Sequence, residues 1–325
     1  MGKRGWAFFS VVVALSLVAA ACGSDDGETS SNTTGGGTAT TMPSFAAGTT
    51  MANIQAKGKV VVGVKFDQLG SGLKNPITGK VEGFDIEIAK LIAVAIFGGS
   101  VADVESKIDF QETISGVREF VLQNGQRDMV VATYTINNTR KQFVDFAGPY
   151  IIDGQDVMVR TDNTTIRTLT DLNGKKVCTQ GGSTTPANLT AKNITADLTL
   201  LTSYALCAAE LRQGRVEAVI TDRGILVGQM EANQGQFKLA NINVSEEPLG
   251  IGVKKGDDAF RSFLNDRLEE IFRSGEWAKA YADTLGKLTG LTPSPPTVDR
   301  YAGTGTATSV ATTTTTVAAT TTSRP

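Results

Sequence analysis

Short β-branched runs alternate with longer apolar-periodic ones along the chain, and glycines separate them. KVVVGV at residues 59–64 has the pattern of a buried strand. GFDIEIAKLIAVAIF follows at 83–97, with Phe84, Ile88, Leu91, Ile92, Ala95 and Ile96 on one side of a helix that Gly98-Gly99 ends. Asp67–Gly79, between the two, carries glycines, Asn75-Pro76 and Thr78-Gly79, and reads as a loop or hairpin. Lys107–Gln111 is a second strand, Ile114–Asn124 a helix closed by Gly125, and Asp128–Ala132 a third strand. A βαβαβ order predicts a mostly parallel sheet with helices on both faces.

The alternation resumes after Asp153. Strands are expected at Asp156–Arg160, Lys176–Thr179, Thr199–Leu201, Val216–Thr221 and Leu249–Val253. Helices are expected from Pro186, over Tyr204–Arg212 and Ile225–Asn233, and as a closing pair through Phe272 and over Trp277–Leu285. The fold class is α/β, with two lobes, each a mostly parallel sheet flanked by helices. Lobes of this kind bind ligands in the cleft between them, at the C-terminal ends of strands.

The ends of the chain read differently. Residues 1–21 open with Lys3 and Arg4 and continue as WAFFSVVVALSLVAAA, a signal-peptide pattern too short for a permanent span. Cys22 follows small residues, as a lipidated cysteine would; the alternative is an ordinary cleaved signal with a chance cysteine. Residues 22–50 read as a flexible Ser/Thr/Gly tether, and 291–325 as a disordered Pro/Thr/Ala tail. The folded remainder divides into one lobe at 51–154 and 247–290 and a second at 155–246, with crossings near Asp153–Gln155 and Glu246–Leu249.

The formal net charge of −2 gives no basic surface for nucleic acid. The chain has no histidine, so the commonest general acid-base residue and metal ligand is missing; no metal, cofactor or catalytic residue is expected. In an exported chain, Cys178 and Cys207 are an even pair and suggest a disulfide; two buried thiols are the alternative.

Several residues stand where an α/β sheet presents ligand contacts. Thr133 and Thr135 come off the end of the Asp128–Ala132 strand, and Arg140 follows. A guanidinium there can grip a carboxylate with two hydrogen bonds; equally, Arg140 could pair with Asp145 at the surface. Asp222 ends a strand and could take an ammonium or cap the next helix. Ser183 and Thr184 sit in a glycine loop before a helix, either an anion site or an ordinary turn. Lys65, Asp67 and Lys74 follow the first strand as cleft residues or as solvated charge.

Five segments together resemble the family 3 solute-binding proteins of polar amino-acid ABC importers: GFDIEIAKLIA, TINNTRKQFVDFAGPY, GKKVCTQGGSTT, LRQGRVEAVITD and FLNDRLEEIFRSGEWAKAYAD. VKFDQLGSGLKNPITG and the cysteine pair are similar to the glutamate-binding lipoproteins of actinobacteria within it. The resemblance implies the type II periplasmic-binding-protein fold, closing on a hinge. It implies that Arg140 holds an α-carboxylate, that Thr135 and the Thr133 backbone assist, that Thr184, with Ser183 beside it, reaches the carboxylate from the second lobe, and that Asp222 takes the α-amino group. TINNTR departs from the usual T-I-T-x-x-R outside the arginine. Phe66 and Asp67 match the family's ligand-covering aromatic only loosely. A second carboxylate on the ligand needs a further cation, for which Lys65 and Lys74 are the candidates.

The expectation is therefore a lipid-anchored, monomeric protein on the extracytoplasmic face of the membrane. It would capture glutamate, or aspartate, glutamine or asparagine, and deliver it to an ABC permease. One rival is an amino-acid sensor for a membrane signalling partner. Another is a dehydratase-like enzyme on the same fold.

Overall fold

The computed structural model describes residues 42–301. The signal peptide, Cys22, most of the tether and the tail beyond Tyr301 lie outside the described residues. Among the described residues no helix is long and apolar enough to cross a membrane.

The chain enters through α1 (Thr50–Lys57) into β1 (Val60–Val64). The expected hairpin is a three-stranded antiparallel sheet of β2 (Asp67–Gln68), β3 (Gly72–Lys74) and β4 (Val81–Glu82). It leads into α2 (Phe84–Phe97), then α3 (Val101–Val104) and β5 (Ile108–Glu112). The next helix starts as a 3-10 turn and becomes α4 (Arg118–Gln123). β6 is only Met129–Val130, because the chain turns away toward the cleft; α5 (Asn138–Lys141) is a single turn. Gly83 shows why α2 begins where it does. Its φ is +129°, and a Cβ there would lie 2.4 Å from the Ser71 carbonyl oxygen, so only glycine fits.

β7 (Val144–Arg160) is a 17-residue strand where a short strand was expected. Gly148-Pro149 and Gly154 punctuate it, and such residues normally read as breaks. The second half of the fold follows as β8 (Lys176–Gln180), α6 (Thr185–Ala191), β9 (Asp197–Leu201), α7 (Tyr204–Arg212), β10 (Ala218–Asp222), α8 (Arg223–Ala232) and β11 (Phe237–Leu239). β12 (Ser245–Lys254) returns antiparallel to β7, and α9 (Asp258–Ser274), α10 (Glu276–Asp283) and α11 (Leu285–Thr289) close the fold.

The strand order is β5-β1-β6-β12-β7-β10-β8-β9. β1 pairs parallel with β5 and β6, and β8 parallel with β9 and β10, so each end of the sheet is a parallel unit. β7 and β12 join the two units. The largest apolar core draws on Met51–Val131, Ala147–Ile151 and Leu249–Leu285, while two further cores fill from Val157 to Val244. Burial therefore passes from one core to the next partway along both long strands. Residues 291–301, expected as tail, carry no helix or strand. Yet Asp299, Arg300 and Tyr301 all bond to the body of the fold.

Candidate functional site

The strand ends and helix starts of both units meet at a polar cleft lined by Gln68, Ser115, Arg118, Thr133, Thr135, Arg140, Gln155, Ser183, Thr184, Tyr204, Thr221, Asp222 and Ile225. Six of the eight expected ligand residues are among them: Thr133, Thr135, Arg140, Ser183, Thr184 and Asp222.

Arg140 rides on α5, whose first turn is capped by the Asn137 side chain accepting the Arg140 N–H at 2.9 Å. Its Nη1 donates to the Thr135 carbonyl at 2.9 Å, and its Nη2 to the Gly182 carbonyl at 3.1 Å on the opposite wall. The guanidinium lies 4.8 Å over the Tyr134 ring, with Nε 3.5 Å from Glu119 Oε1. The alternative pairing with Asp145 does not occur. That carboxylate is buried and held by Lys255 Nζ at 2.9 Å and the Gly256 N–H at 2.8 Å.

A second guanidinium stands beside the first. Arg118, at the start of α4, is 2% exposed and lies 5.1 Å from the same Tyr134 ring. Its one hydrogen bond is a long one, from Nη1 to the Thr133 carbonyl at 3.5 Å, and its buried Nε has no partner among the described residues. Burial, and then the charge of Arg140, push its pKa down from the ordinary value.

Thr133 turns the chain between β6 and α5 with φ +46°, a strained conformation for a β-branched residue. Asp85 of α2 holds it there, accepting the Thr133 N–H at 2.8 Å and the Tyr150 hydroxyl at 2.7 Å. Burial raises the Asp85 pKa to about 6. The Thr133 backbone is thus engaged on both sides, and its hydroxyl, which donates to the Ala132 carbonyl at 2.7 Å, lies 3.2 Å from Gln68 Oε1.

The far wall is acidic. Asp222 ends β10, and its side chain makes no capping hydrogen bond to α8, so the capping alternative is not realised. It is 4% exposed. Burial, followed by the charges of Asp153 and Glu247, raises its pKa well above the carboxylate range. Thr184 accepts from Gln155 Nε2 at 2.8 Å and donates to Glu247 Oε2 at 3.1 Å, so its single proton is already committed. Ser183 Oγ lies 3.2 Å from Thr179 Oγ1.

Neither lysine lines the cleft. Lys65 is fully buried with Nζ 3.1 Å from Asp67 Oδ1, and burial lowers its pKa. Lys74 is exposed, its Nζ 5.1 Å over the Phe66 ring. The cation beside Arg140 is Arg118 instead. Sequence reasoning passed over it because it sits within a helical run. Its one signal was its place, in the first turn after β5, at the sheet end that faces ligands.

The model of the bacterial extracellular solute-binding proteins, family 3, matches residues 61–287. The chain belongs to that family. A glutamate-binding protein, GluB, of Corynebacterium glutamicum is 35% identical over 236 residues, covering 71% of this chain and 79% of that protein. An ABC transporter glutamine-binding protein, GlnH, of Bacillus subtilis is 38% identical over 233 residues, covering 71% and 83%. Among solved structures, an ancestral arginine-binding protein bound to arginine superposes with a TM-score of 0.61 at 33% identity, covering 70% of this chain and 98% of that one. The fold is the type II periplasmic-binding-protein fold, and the family is one of binding proteins rather than enzymes.

In this family 3 binding protein the two walls touch. Ser115 Oγ donates to Gln180 Oε1 at 2.9 Å, and Asp67 Oδ2 accepts the Tyr204 N–H at 3.0 Å at the start of α7. Gln229 Nε2 donates to the Asp67 carbonyl at 3.0 Å. A disulfide joins Cys178 of β8 to Cys207 of α7, with Cα atoms 5.4 Å apart, and so ties the helix that begins at Tyr204 to the strand that leads into the loop of Ser183 and Thr184.

Proposed function

We propose that the protein captures an acidic amino acid, L-glutamate foremost, between its lobes and passes it to an ABC permease. Residues 51–154 with 247–290 form one lobe and 155–246 the other, and β7 and β12 serve as the hinge. Cys22 carries the lipid that holds the protein on the membrane.

The observation that carries this reading is Arg118. An α-amino acid needs one cationic and one anionic partner for its backbone. Arg140 and Asp222 supply these, at opposite sides of the cleft. A second buried guanidinium can donate to a neutral amide oxygen, but only a carboxylate also neutralises its charge. A buried cation without a counter-charge is costly, and a carboxylate on the ligand side chain offsets that cost. The free N–H groups of Arg118 suit it. The name of the Corynebacterium relative agrees with glutamate; that of the Bacillus relative makes glutamine the competitor.

Titration of the full chain with L-glutamate, L-glutamine, L-aspartate and L-asparagine tests the reading, alongside Arg118→Gln and Arg140→Ala. Glutamate should bind most tightly. Arg140→Ala should abolish binding of every ligand. Arg118→Gln should weaken glutamate by about 2–5 kcal/mol, as expected when one partner of a buried charge pair is removed, and glutamine far less. Equal losses for glutamate and glutamine would remove the acidic-ligand reading.

A further inference from the structure

We infer that residues Val298–Tyr301, beyond the stretch that matches the family, form a strap that positions Arg140, with Tyr301 as its fastening. The inference rests on the reading of Arg140 as a carboxylate-binding residue.

The argument begins with α5. One helical turn has little stability of its own, because nucleation fixes several residues for a single hydrogen bond. Asn137 caps its start. Its end is held by tertiary contacts. Lys255 Nζ donates to the Lys141 carbonyl at 2.6 Å. The Lys141 side chain reaches Tyr301, with Nζ 3.7 Å from the ring centroid, and lies 3.4 Å from Asp299 Oδ2. Lys141 follows Arg140 directly, so what holds Lys141 sets the orientation of the turn that carries the guanidinium.

Tyr301 is itself held from several directions. Arg261 of α9 lies 4.4 Å from its ring and donates to its carbonyl at 2.8 Å. The Tyr301 hydroxyl accepts the Phe146 N–H of β7 at 2.8 Å and donates to Asp145 at 3.3 Å. The Asp299 N–H donates to the Gly148 carbonyl at 2.8 Å, Arg300 pairs with Asp266 and Glu269, and Val298 packs on the main core. A ring flanked by two cations is held by cation–π attraction on top of its hydrogen bonds. The strap therefore links α9 and β7 to α5, and among the described residues none of its hydrogen bonds or ion pairs reaches a residue that lines the cleft.

The experiment uses the full chain with Tyr301→Ala, Tyr301→Phe and Asp299→Asn, each in the native and the Arg140→Lys background. L-Glutamate affinity is measured by calorimetry, and amide hydrogen exchange over 137–143 is followed without ligand. Tyr301→Ala should weaken glutamate binding about fivefold to tenfold, the scale of one cation–π contact with its hydrogen bonds. Tyr301→Phe, which keeps the ring between its cations, should stay within about twofold, and Asp299→Asn should lie between the two. In the Arg140→Lys background Tyr301→Ala should add little, because positioning acts through the guanidinium. Exchange should quicken over 137–143 more than elsewhere. Equal losses in both backgrounds, or unchanged exchange over 137–143, would overturn the strap. If the unsubstituted protein takes up none of the four amino acids, the acidic amino-acid reading fails, and the exchange result still decides the strap.

Discussion

Gly116 and Gly182 meet across the cleft with no room for a side chain: a Cβ built on Gly182 would lie 2.5 Å from the Gly116 Cα. Gly182 also has φ +80°, which L side chains rarely adopt. This contact lies next to the Arg140–Gly182 hydrogen bond, so on the proposed hinge closure the same approach of the walls would also seat Arg140. Gly182→Ala should hold the lobes apart. Glutamate affinity should drop at least about tenfold through a smaller population of the closed form. Small-angle scattering should show no ligand-induced compaction. Native compaction in the variant would refute the steric argument.

Asp222 gives a proton signature. Its pKa is raised by burial and by the neighbouring Asp153 and Glu247 charges, so the ligand-free carboxyl holds its proton above the ordinary carboxylate range. An incoming ammonium favours the charged form and lowers that pKa. Binding should therefore release a proton at mildly acidic pH. Calorimetry in buffers of different ionisation enthalpy should show it, and Asp222→Asn should abolish both the release and tight binding. Binding heats that do not change with buffer would contradict the assignment.

Asp85 gives a stability signature. Its folded pKa of about 6 exceeds the 3.8 of an unperturbed aspartate, so the folded state binds this proton more tightly than the unfolded chain. Below about pH 4 the group is neutral in both states and costs nothing. As pH rises to about 6, stability is lost, by roughly 3 kcal/mol in all. Asp85→Asn keeps an acceptor for Thr133 and should flatten this part of the denaturation-versus-pH curve. A variant curve parallel to the native one would mean that Asp85 ionises as freely in the fold as in the unfolded chain.

The Cys178–Cys207 bond closes a loop with a sequence separation of 29. The chain-entropy relation makes it worth about 3–4 kcal/mol. Paired Cys→Ser substitution should lower stability by that amount in urea. Affinity should also weaken, because β8 leads into the glycine loop and α7 begins at Tyr204. Unchanged stability would show that the two elements are held by packing alone.

Much of this was legible in the chain. The β-branched runs and glycine stops located most strands and helices, with Tyr204–Arg212 matching to the residue. The long strand β7 was hidden by Gly148-Pro149 and Gly154, because pairing with β12 and β10 overrides local breakers. In the cleft, Arg140, Thr133, Thr135 and Asp222 were candidates from their place at strand ends and Thr184 from its glycine loop, while the ligand roles expected of them were implied by the family resemblance. The second cation was sought among Lys65 and Lys74. The small β2–β3–β4 sheet carries Lys74 outward onto Phe66, and Lys65 is paired with Asp67 beneath it.

By itself the sequence determined the α/β class, the order of elements, the cysteine pair and the candidate carboxylate and ammonium partners. The class and the element order follow from periodicity, the cysteine pair from the chemistry of single side chains, and the roles of the carboxylate and ammonium candidates from resemblance to a known family. Only the tertiary structure decided that Arg118 stands beside Arg140 over one tyrosine ring, that the Thr184 proton goes to Glu247, and that Tyr301 returns to hold Lys141. Each of these joins residues distant in the chain. Sequence spacing carries no information about such contacts until the sheet order sets which helix ends face one another.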